Sequence, residues 1–520
     1  MLSLEQILKT LAVFGVSATL GGIAFAYTLY RFERRWTWAL FGLLPAVMAN
    51  GVSTLMCACL GAASLVAAFL GAGWHRAQLA AGADVAQRAR ERVGILGATI
   101  SLIRRQLVAR RGWVNKGWLI VGRDRRKMPV SIPVGKRSGS HTLLLGATGS
   151  GKTVTEAWIA SRLIEYGHGA IVIDPKGDRM LRAELLGAAK RAHRSFLEWT
   201  PEGPCAYNPY ADGGASEIAD KALAGEVFTE PHYLRLAQRY LGHAVRAMQT
   251  AQIEVTPASL MAHLDPTTLE VTSRLLSDEQ ASAVQSYLDS LNDRQRRDLA
   301  GTRDRLSILA ESDIHRWLEP GQAPTIDIRQ AVAARAVVYF DLDSDRHPLL
   351  AQMLAAAIVS DLVSLVSHLQ RDPVPTVVLI DEFSAIAAEH VARLFGRARS
   401  AGISLVLATQ ELADMQTVGE GKLRDQVLGN VQSIVAGRQN VPDSAELIAG
   451  IAGTKATWIA TQQTDEIGAS GRGSRRRGHE YNLHPSTIKR LGTGQAVVIT
   501  PGADQRPVLA NIHHPNEAHR

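Results

Sequence analysis

The chain has 520 residues, of which 46% are hydrophobic and 20% charged, and its formal net charge is +8. This composition excludes a disordered or collagen-like chain, and the length is enough for about two to four structural units with a sizeable core. The three cysteines, Cys57, Cys59 and Cys205, exclude a disulfide framework, and no Cys and His cluster has the spacing of a tetrahedral metal site. We therefore expect a multi-domain protein whose soluble part works in a reducing compartment.

Two apolar runs predict a transmembrane anchor over residues 1–75. Residues 11–30 contain no charged side chain and, as a helix, are long enough to cross ~30 Å of hydrocarbon. Residues 36–74 also lack Asp, Glu, Lys and Arg but would form a straight helix of ~58 Å. A single helix that extends past the membrane gives two spans, and a hairpin near Asn50-Gly51 gives three. The charge bias of the flanking segments favours three.

The positive charge of the chain is concentrated in a basic juxtamembrane segment, residues 76–135. Between Arg76 and Lys127 alone, Lys and Arg outnumber Asp and Glu by ten. A position beside the membrane explains this charge through topology and anionic headgroups, and contact with nucleic acid phosphates is the alternative.

Beyond residue 130 the pattern changes to short, unalternated apolar runs separated by helical stretches. This pattern is typical of a parallel sheet in an α/β fold, because helices cover both faces of the strands. The predicted strands are residues 141–145, 170–173, 336–341, 376–380, 403–408, 433–436 and 496–500. Residues 212–320 contain long helix-period segments instead, at 232–252 and 279–309, and predict an inserted all-α domain.

A phosphate-binding loop follows the first of these strands. The glycines of this loop allow backbone N–H groups to surround a phosphate, Lys152 neutralises phosphate oxygens, and Thr153 can ligate Mg²⁺ at the positive end of the next helix. The sequence therefore predicts a site for ATP and Mg²⁺. The loop fits the pattern G-x-x-x-x-G-K-[ST] and consists of Gly146, Ala147, Thr148, Gly149, Ser150, Gly151, Lys152 and Thr153.

Further polar residues end two other predicted strands. Asp381 is expected to hold Mg²⁺ at the carboxyl end of its strand, and Glu382 is the candidate base that orients water. Gln410 follows residues 403–408 and is expected to sense the γ-phosphate from the same sheet edge. Arg399 precedes that strand and is the candidate arginine finger that reaches the phosphate of a neighbouring subunit.

In this order, the motifs resemble those of the type IV secretion system coupling proteins, the membrane ATPases of the VirD4, TraG, TraD and TrwB group. Besides the N-terminal spans and the helical insert, the resemblance rests on GATGSGKT (146–153), IVIDPKGD (171–178), YNPY (207–210), LIDEF (379–383), RARSAGISLVLATQ (397–410) and AGRQNVPDSAELIAGIAGT (436–454). It covers nearly the whole chain.

The resemblance implies a RecA-like P-loop nucleotide-binding domain, residues 136–211 and 321–520, with the all-α domain inserted at 212–320. It also implies a homohexamer at the bacterial inner membrane, with the ATPase domain in the cytoplasm. Such an assembly delivers relaxase-bound single-stranded DNA to the components of a type IV secretion channel.

Residue roles are carried over by motif. Lys152, Glu382, Arg399 and Gln410 are then the catalytic residues of a DNA-translocating ATPase, and Asp381 with Thr153 holds the metal. By the same analogy, Arg438 lies near the subunit interface. The insert has no motif of its own, so its role in substrate recognition is analogy only.

Several alternatives remain open from the sequence. Residues 471–479, GRGSRRRGH, are interpreted as a mobile basic loop that either is solvated or contacts DNA. The motor could instead move protein effectors, or act as an FtsK- or HerA-like double-stranded DNA translocase. A docking receptor with slow hydrolysis is the third possibility, although the intact Asp381-Glu382 pair favours a motor.

Overall fold

The computed structural model describes residues 4–31, 36–43, 54–80, 112–135, 138–224, 230–321, 323–386, 388–416, 422–465, 468–500 and 507–519. The chain divides into two compact units, Met1–Ile100 and Ser101–Arg520. The first contains the predicted anchor, and the second contains the phosphate-binding loop.

The first unit contains helix α1 (Leu4–Arg31), a short 3₁₀ helix (Trp36–Gly42) and helix α2 (Thr54–Ala80). The helices α1 and α2 approach closely, since a Cβ atom on Gly22 would lie 2.6 Å from Val66 Cβ. Small side chains fill the contact, whereas large apolar side chains point outward, among them Val13, Leu20, Ile23, Leu65 and Phe69. The predicted turn at Asn50-Gly51 lies outside the described residues.

One helix in the described part of the chain is long and apolar enough to cross a membrane by composition. It is Pro348–Leu369 in the second unit, and 67% of its most apolar window is buried inside the protein. Packing against its own domain explains its hydrophobicity. Shorter apolar stretches occur at Val13–Leu29 and Met56–Ala72.

The second unit is built on a twelve-stranded mixed sheet. Its strands are β1 (Val114–Asn115), β2 (Trp118–Asp124), β3 (Pro129–Pro133), β4 (Thr142–Leu145), β5 (Gly169–Asp174), β6 (Phe196–Trp199), β7 (Val337–Asp341), β8 (Thr376–Ile380), β9 (Ile403–Thr409), β10 (Ser433–Ala436), β13 (Gln495–Ile499) and β14 (Val508–Ile512). A separate hairpin consists of β11 (Thr454–Asp465) and β12 (Gly468–Tyr481). The order in the sheet is β1-β2-β14-β13-β10-β4-β9-β8-β5-β7-β6, with β3 on β2.

The strands from β10 to β6 in this order are all parallel. The central strands β4, β5, β8 and β9 are buried along their whole length, which explains their continuous apolar sequences. Leu145 pairs with Thr409, and Ile173 pairs with Ile380. The carboxyl ends of these strands therefore meet at one sheet edge, where ligands bind in open α/β sheets. The seven strands predicted from the sequence all occur, within a residue of their predicted ends.

Helices cover the sheet and form the insert. They are α3 (Lys152–Glu165), α4 (Arg179–Arg191), α5 (Ala215–Leu223), α6 (Pro231–Thr250), α7 (Pro257–Ala262), α8 (Pro266–Ser273), α9 (Asp278–Asp289), α10 (Asp293–Ala310), α11 (Ile328–Ala333), α12 (Pro348–Leu369), α13 (Phe383–Ile386), α14 (Ala388–Ala398), α15 (Lys422–Asn430), α16 (Pro442–Ile451) and α17 (Pro485–Lys489). The described residues between 212 and 320 contain helices and no strand. The segment predicted as one helix, residues 279–309, is interrupted at Asn292, which caps α10.

Two predictions about the basic segments need correction. The sheet begins at Val114, inside the segment that the sequence analysis assigned to residues 76–135, because β2 hydrogen-bonds to β14 and β3. Residues 471–479 lie in strand β12, paired with β11, and not in a loop. The arginines of β12 hide its strand pattern, whereas β2 contains an apolar run at residues 118–121 that stands between basic residues.

Two buried histidines predict acid-sensitive stability. Burial, with help from Arg399, lowers the pKa of His141 to about 4, and burial, with a smaller contribution from Arg335, lowers the pKa of His168 to about 4. Since an unfolded histidine titrates near pH ~6.5, the unfolded chain binds more protons between these values. The free energy of unfolding should therefore fall as pH drops from 6.5 to 4, by up to ~1.4 kcal/mol per pH unit for each histidine.

Urea unfolding across this pH range measures the effect. His168→Asn should reduce the slope, and His193→Asn, at an exposed position, should not. Equal slopes for wild type and His168→Asn would contradict the assignment.

Candidate active site

The phosphate-binding loop connects β4 to α3 at the carboxyl edge of the sheet. Gly149 and Gly151 have φ angles of +76° and +97°, which glycine adopts without strain. Gly151 is the N-cap of α3, and no side chain caps this helix. Its first N–H groups are therefore available to an anion, and the helix dipole favours negative charge there.

Lys152 is surrounded by carboxylates. Its Nζ contacts Asp381 Oδ1 and lies 2.9 Å from Glu382 Oε1 and 3.9 Å from Glu156 Oε1. The Lys152, Asp381 and Glu382 side chains are almost buried, and that of Glu156 is entirely so. Lys152, Asp381 and Glu382, which the sequence motifs single out, thus lie together, and Glu156, which no motif singles out, joins them because it follows Lys152 by one helical turn.

Burial and charge act against each other in this cluster. Burial alone would lower the pKa of Lys152, but Glu156, Asp381 and Glu382 outweigh it and raise that pKa. Burial raises the pKa of Glu156, and the neighbouring Asp381 charge raises it further. Burial would also raise the pKa of Glu382, yet Lys152, Gln410 and Lys176 together lower it. Lys152 is therefore charged, and Glu382 is ionised at neutral pH.

The backbone fixes the two carboxylates that follow β8. The Asp381 N–H donates to Ile173 O at 3.0 Å, and the Glu382 N–H donates to Asp381 Oδ1 at 2.9 Å. Glu382 has φ +45°, a left-handed conformation that is uncommon for a residue with a side chain. Such strain often accompanies functional sites, and here it coincides with the candidate base.

Gln410 joins the loop to the candidate base. Its Nε2 donates to Glu382 Oε1 at 3.0 Å, while its backbone oxygen accepts the Gly146 N–H at 3.2 Å. A shift of Glu382 or of the loop therefore changes a hydrogen bond of Gln410.

The two arginines singled out from the sequence lie in different places. Arg399 is exposed, and its backbone oxygen accepts the Gly139 N–H. Gly139 precedes β4, whereas the phosphate-binding loop follows β4. Arg399 therefore lies at the amino ends of the strands, opposite the loop of its own chain. Arg438 instead contacts that loop, because its Nη2 donates to Thr148 O at 3.1 Å and its backbone oxygen accepts the Ala147 N–H.

A second surface of interest is a basic stripe on α6, which the sequence analysis did not identify. The stripe consists of His232, Arg235, Arg239, His243 and Arg246, which recur every three or four residues and share one helix face. The three arginines are exposed, and α6 contains no Asp or Glu. In the described part of the chain, none of the three forms an ion pair. The spacing of basic residues without acidic ones was the available signal.

Aromatic contacts order the middle of this stripe. The His243 ring stacks on the Tyr287 ring with centroids 4.2 Å apart, and the Arg239 guanidinium lies 4.7 Å from the same ring. Burial lowers the pKa of His243, and the charges of Arg246 and Arg239 lower it further. The local potential is therefore positive and suits a polyanion.

Comparison with known proteins supports the family resemblance. A family model described as the TraM recognition site of TraD and TraG matches residues 375–492, and one described as the central domain of the helicase HerA matches residues 114–195. The resemblance to the type IV coupling proteins is confirmed. None of the curated proteins matches the chain.

Several solved structures share the fold. The unbound bacterial conjugative coupling protein TrwB is 15% identical with a TM-score of 0.54, over 78% of this chain and 91% of that one. VirB4 of Thermoanaerobacter pseudethanolicus is 14% identical with a TM-score of 0.53, over 79% of this chain and 100% of that one. TrwB in complex with ADP and Mg²⁺ is 15% identical with a TM-score of 0.51, over 79% and 92%. The α/β fold with a parallel sheet thus resembles that of TrwB.

We expect Lys152→Ala to destabilise the second unit, because three buried carboxyl groups lose their cation. Removing one partner of a buried ion pair costs ~3–5 kcal/mol. Adding Glu382→Gln removes a negative charge and should recover part of this loss, with a coupling energy of at least ~1 kcal/mol. Urea unfolding of the wild type, both single variants and the double variant measures the coupling, and additive effects would contradict this arrangement.

Proposed function

We propose that this chain is a P-loop ATPase that uses ATP hydrolysis to deliver DNA, as a relaxase-bound single strand, into a type IV secretion channel. The observation that carries the proposal is the cluster of Lys152, Asp381, Glu382 and Gln410 at the carboxyl edge of a parallel sheet. A binding module without hydrolysis does not need a water-orienting carboxylate beside the phosphate loop.

The residues present fit a nucleotide with Mg²⁺. The uncapped N-terminus of α3 and Lys152 suit the phosphates, and the carboxylate of Asp381 with the Thr153 hydroxyl suits the metal. Few protein ligands are needed, since Mg²⁺ in such sites keeps waters and binds phosphate oxygens. When bound, Mg²⁺ supplies positive charge that neutralises the phosphates.

The catalytic step follows from the side chains. Phosphate oxygens compete with Asp381 and Glu382 for Lys152, so a bound nucleotide frees Glu382 for a water molecule. Glu382 Oε2 takes a proton from this water while the water oxygen attacks the γ-phosphorus. The bond between the γ-phosphorus and the oxygen that bridges it to the β-phosphate breaks, and ADP and phosphate leave. Arg399 is exposed and distant from its own loop, so a role as arginine finger requires a neighbouring subunit in a homohexamer.

The basic stripe on α6 supports DNA as the cargo. Its five residues extend over ~21 Å, which is long enough to contact several phosphates of one strand. In the same proposal, residues 1–75 are the anchor in the bacterial inner membrane. The outward apolar side chains of α1 and α2, such as Val13 and Phe69, support that assignment.

A HerA-like double-stranded DNA translocase is the second candidate, favoured by the HerA family model that matches residues 114–195. The two candidates share the ATPase site and differ in the cargo. Single-stranded and duplex DNA therefore distinguish them.

We expect ATP hydrolysis by the full-length protein in lipid nanodiscs to be stimulated at least ~10-fold by single-stranded DNA, as for a motor that couples chemistry to its cargo. Glu382→Gln provides the blank, and its nucleotide affinity should be retained because it has the same shape. Stimulation by duplex alone would favour the HerA-like candidate. A rate of ATP hydrolysis that neither form of DNA changes would contradict a DNA motor. It would favour a motor that moves protein effectors, or a docking receptor.

Replacing Arg235, Arg239 and Arg246 together by alanine should weaken DNA binding and reduce its salt dependence. Loss of three phosphate contacts lowers the slope of log K against log salt by ~2 for a single strand. Hydrolysis without DNA should not change. The matched control replaces Arg274, Arg303 and Arg316, which are exposed elsewhere in the insert. Equal losses in both triple variants would contradict a specific role for α6.

A further inference from the structure

The motif IVIDPKGD comprises the end of β5 and the loop that follows it, next to the candidate base. Asp174 accepts hydrogen bonds from the backbone N–H groups of Lys176, Gly177 and Asp178 at 2.9, 3.0 and 2.8 Å, and from the Tyr339 hydroxyl at 2.7 Å. These bonds involve the backbone of residue 176, so they do not depend on its side chain. The side chain of Lys176 is therefore not needed to hold the loop and can contact other groups.

The conformation of this loop requires a glycine. Gly177 has φ +67°, and a Cβ atom there would collide with the Asp341 carboxylate. Because Ile173 pairs with Ile380, the loop lies directly beside the Asp381-Glu382 pair. The fold therefore directs the side chain of Lys176 toward Glu382.

Lys176 is a second cation on the candidate base. Its Nζ lies 3.4 Å from Glu382 Oε1, and its side chain is 49% exposed. The same oxygen accepts from Lys152 at 2.9 Å and from Gln410 at 3.0 Å. Glu382 Oε2 accepts no hydrogen bond from the described residues. One oxygen of the carboxylate is thus fixed by three donors, while the other is left for water.

The arrangement has a consequence for the nucleotide-bound protein. A bound triphosphate draws Lys152 away, so Gln410 and Lys176 remain on Oε1. Gln410 follows β9 and Lys176 follows β5, the two strands that flank β8. The carboxylate is therefore held from both sides, and, among the described residues that contact it, Lys176 alone then balances its charge.

We propose that Lys176 is a positioning residue for ATP hydrolysis, which fixes Glu382 Oε1 so that Oε2 faces the attacking water. This role rests on the ATPase activity proposed above. Lys176 lies on the far side of β8 from the phosphate loop, so it acts through Glu382 and not on the nucleotide. Its loss should lower the rate of the chemical step and leave nucleotide binding intact.

The test compares Lys176→Ala, Lys176→Arg and the control Lys190→Ala, an exposed lysine on α4, in the full-length protein. We expect Lys176→Ala to lower kcat for ATP at least ~10-fold with KM and ADP affinity within a factor of ~2, the pattern of an interaction that acts only in the transition state. Lys176→Arg should recover most of the rate, and Lys190→Ala should match the wild type.

Three results would overturn the proposal. They are a kcat for Lys176→Ala within a factor of ~2 of the wild type, a rise in KM without a fall in kcat, and an equal loss in Lys176→Arg and Lys176→Ala. None of these three results would contradict the proposed ATPase activity of the wild type. An inactive wild type that still binds ADP would instead contradict both the proposed ATPase and the role of Lys176.

Discussion

The site depends on one buried cation. Among the described residues, Lys152 is the only basic side chain in contact with Glu156, Asp381 and Glu382 together, and burial makes unpaired charge costly for all of them. Without a nucleotide the cluster is held together by this lysine. In the proposed function, a triphosphate with its metal would bring both the negative charge that attracts Lys152 and the positive charge that Asp381 then requires. Binding would therefore exchange one set of ion pairs for another, and Glu382 would lose its contact with Lys152 while Gln410 and Lys176 still hold it.

The sheet makes this exchange possible because the carboxyl ends of four neighbouring strands meet at one edge. The loop after β4 and the lysine after β5 contact the acidic pair after β8, which lies more than two hundred residues further along the chain, and the amide after β9 follows that pair. Parallel pairing sets their register to within a residue. The helical segment between β6 and β7 carries the basic stripe, so the candidate catalytic residues and the proposed cargo surface lie on different elements.

Much of this arrangement follows from the sequence, and the exceptions have physical causes. Buried parallel strands have continuous apolar sequences, so β4, β5, β8 and β9 were predictable, and the phosphate loop has a fixed pattern that identifies Lys152. Strand β12 is rich in arginine and is stabilised by backbone pairing, which no periodicity reveals, whereas the short apolar run of β2 stands between basic residues. Lys176 contacts Glu382 only once β5 and β8 are in register, whereas Glu156 follows Lys152 by one helical turn, a spacing that the sequence contains. Arg438 contacts the phosphate loop of its own chain, and its position near a subunit interface stays a prediction.

The most direct test of the proposed exchange of ion pairs at Lys152 is a structure of the full-length Glu382→Gln protein with ATP and Mg²⁺, determined by cryo-electron microscopy. We expect ATP on the loop formed by residues 146–153, with Lys152 Nζ on its phosphates and no longer on Asp381. The substituted amide side chain at position 382 should still contact Lys176 and Gln410. A structure in which Lys152 remains paired with Asp381, or in which the nucleotide binds away from this loop, would contradict the proposed exchange of ion pairs.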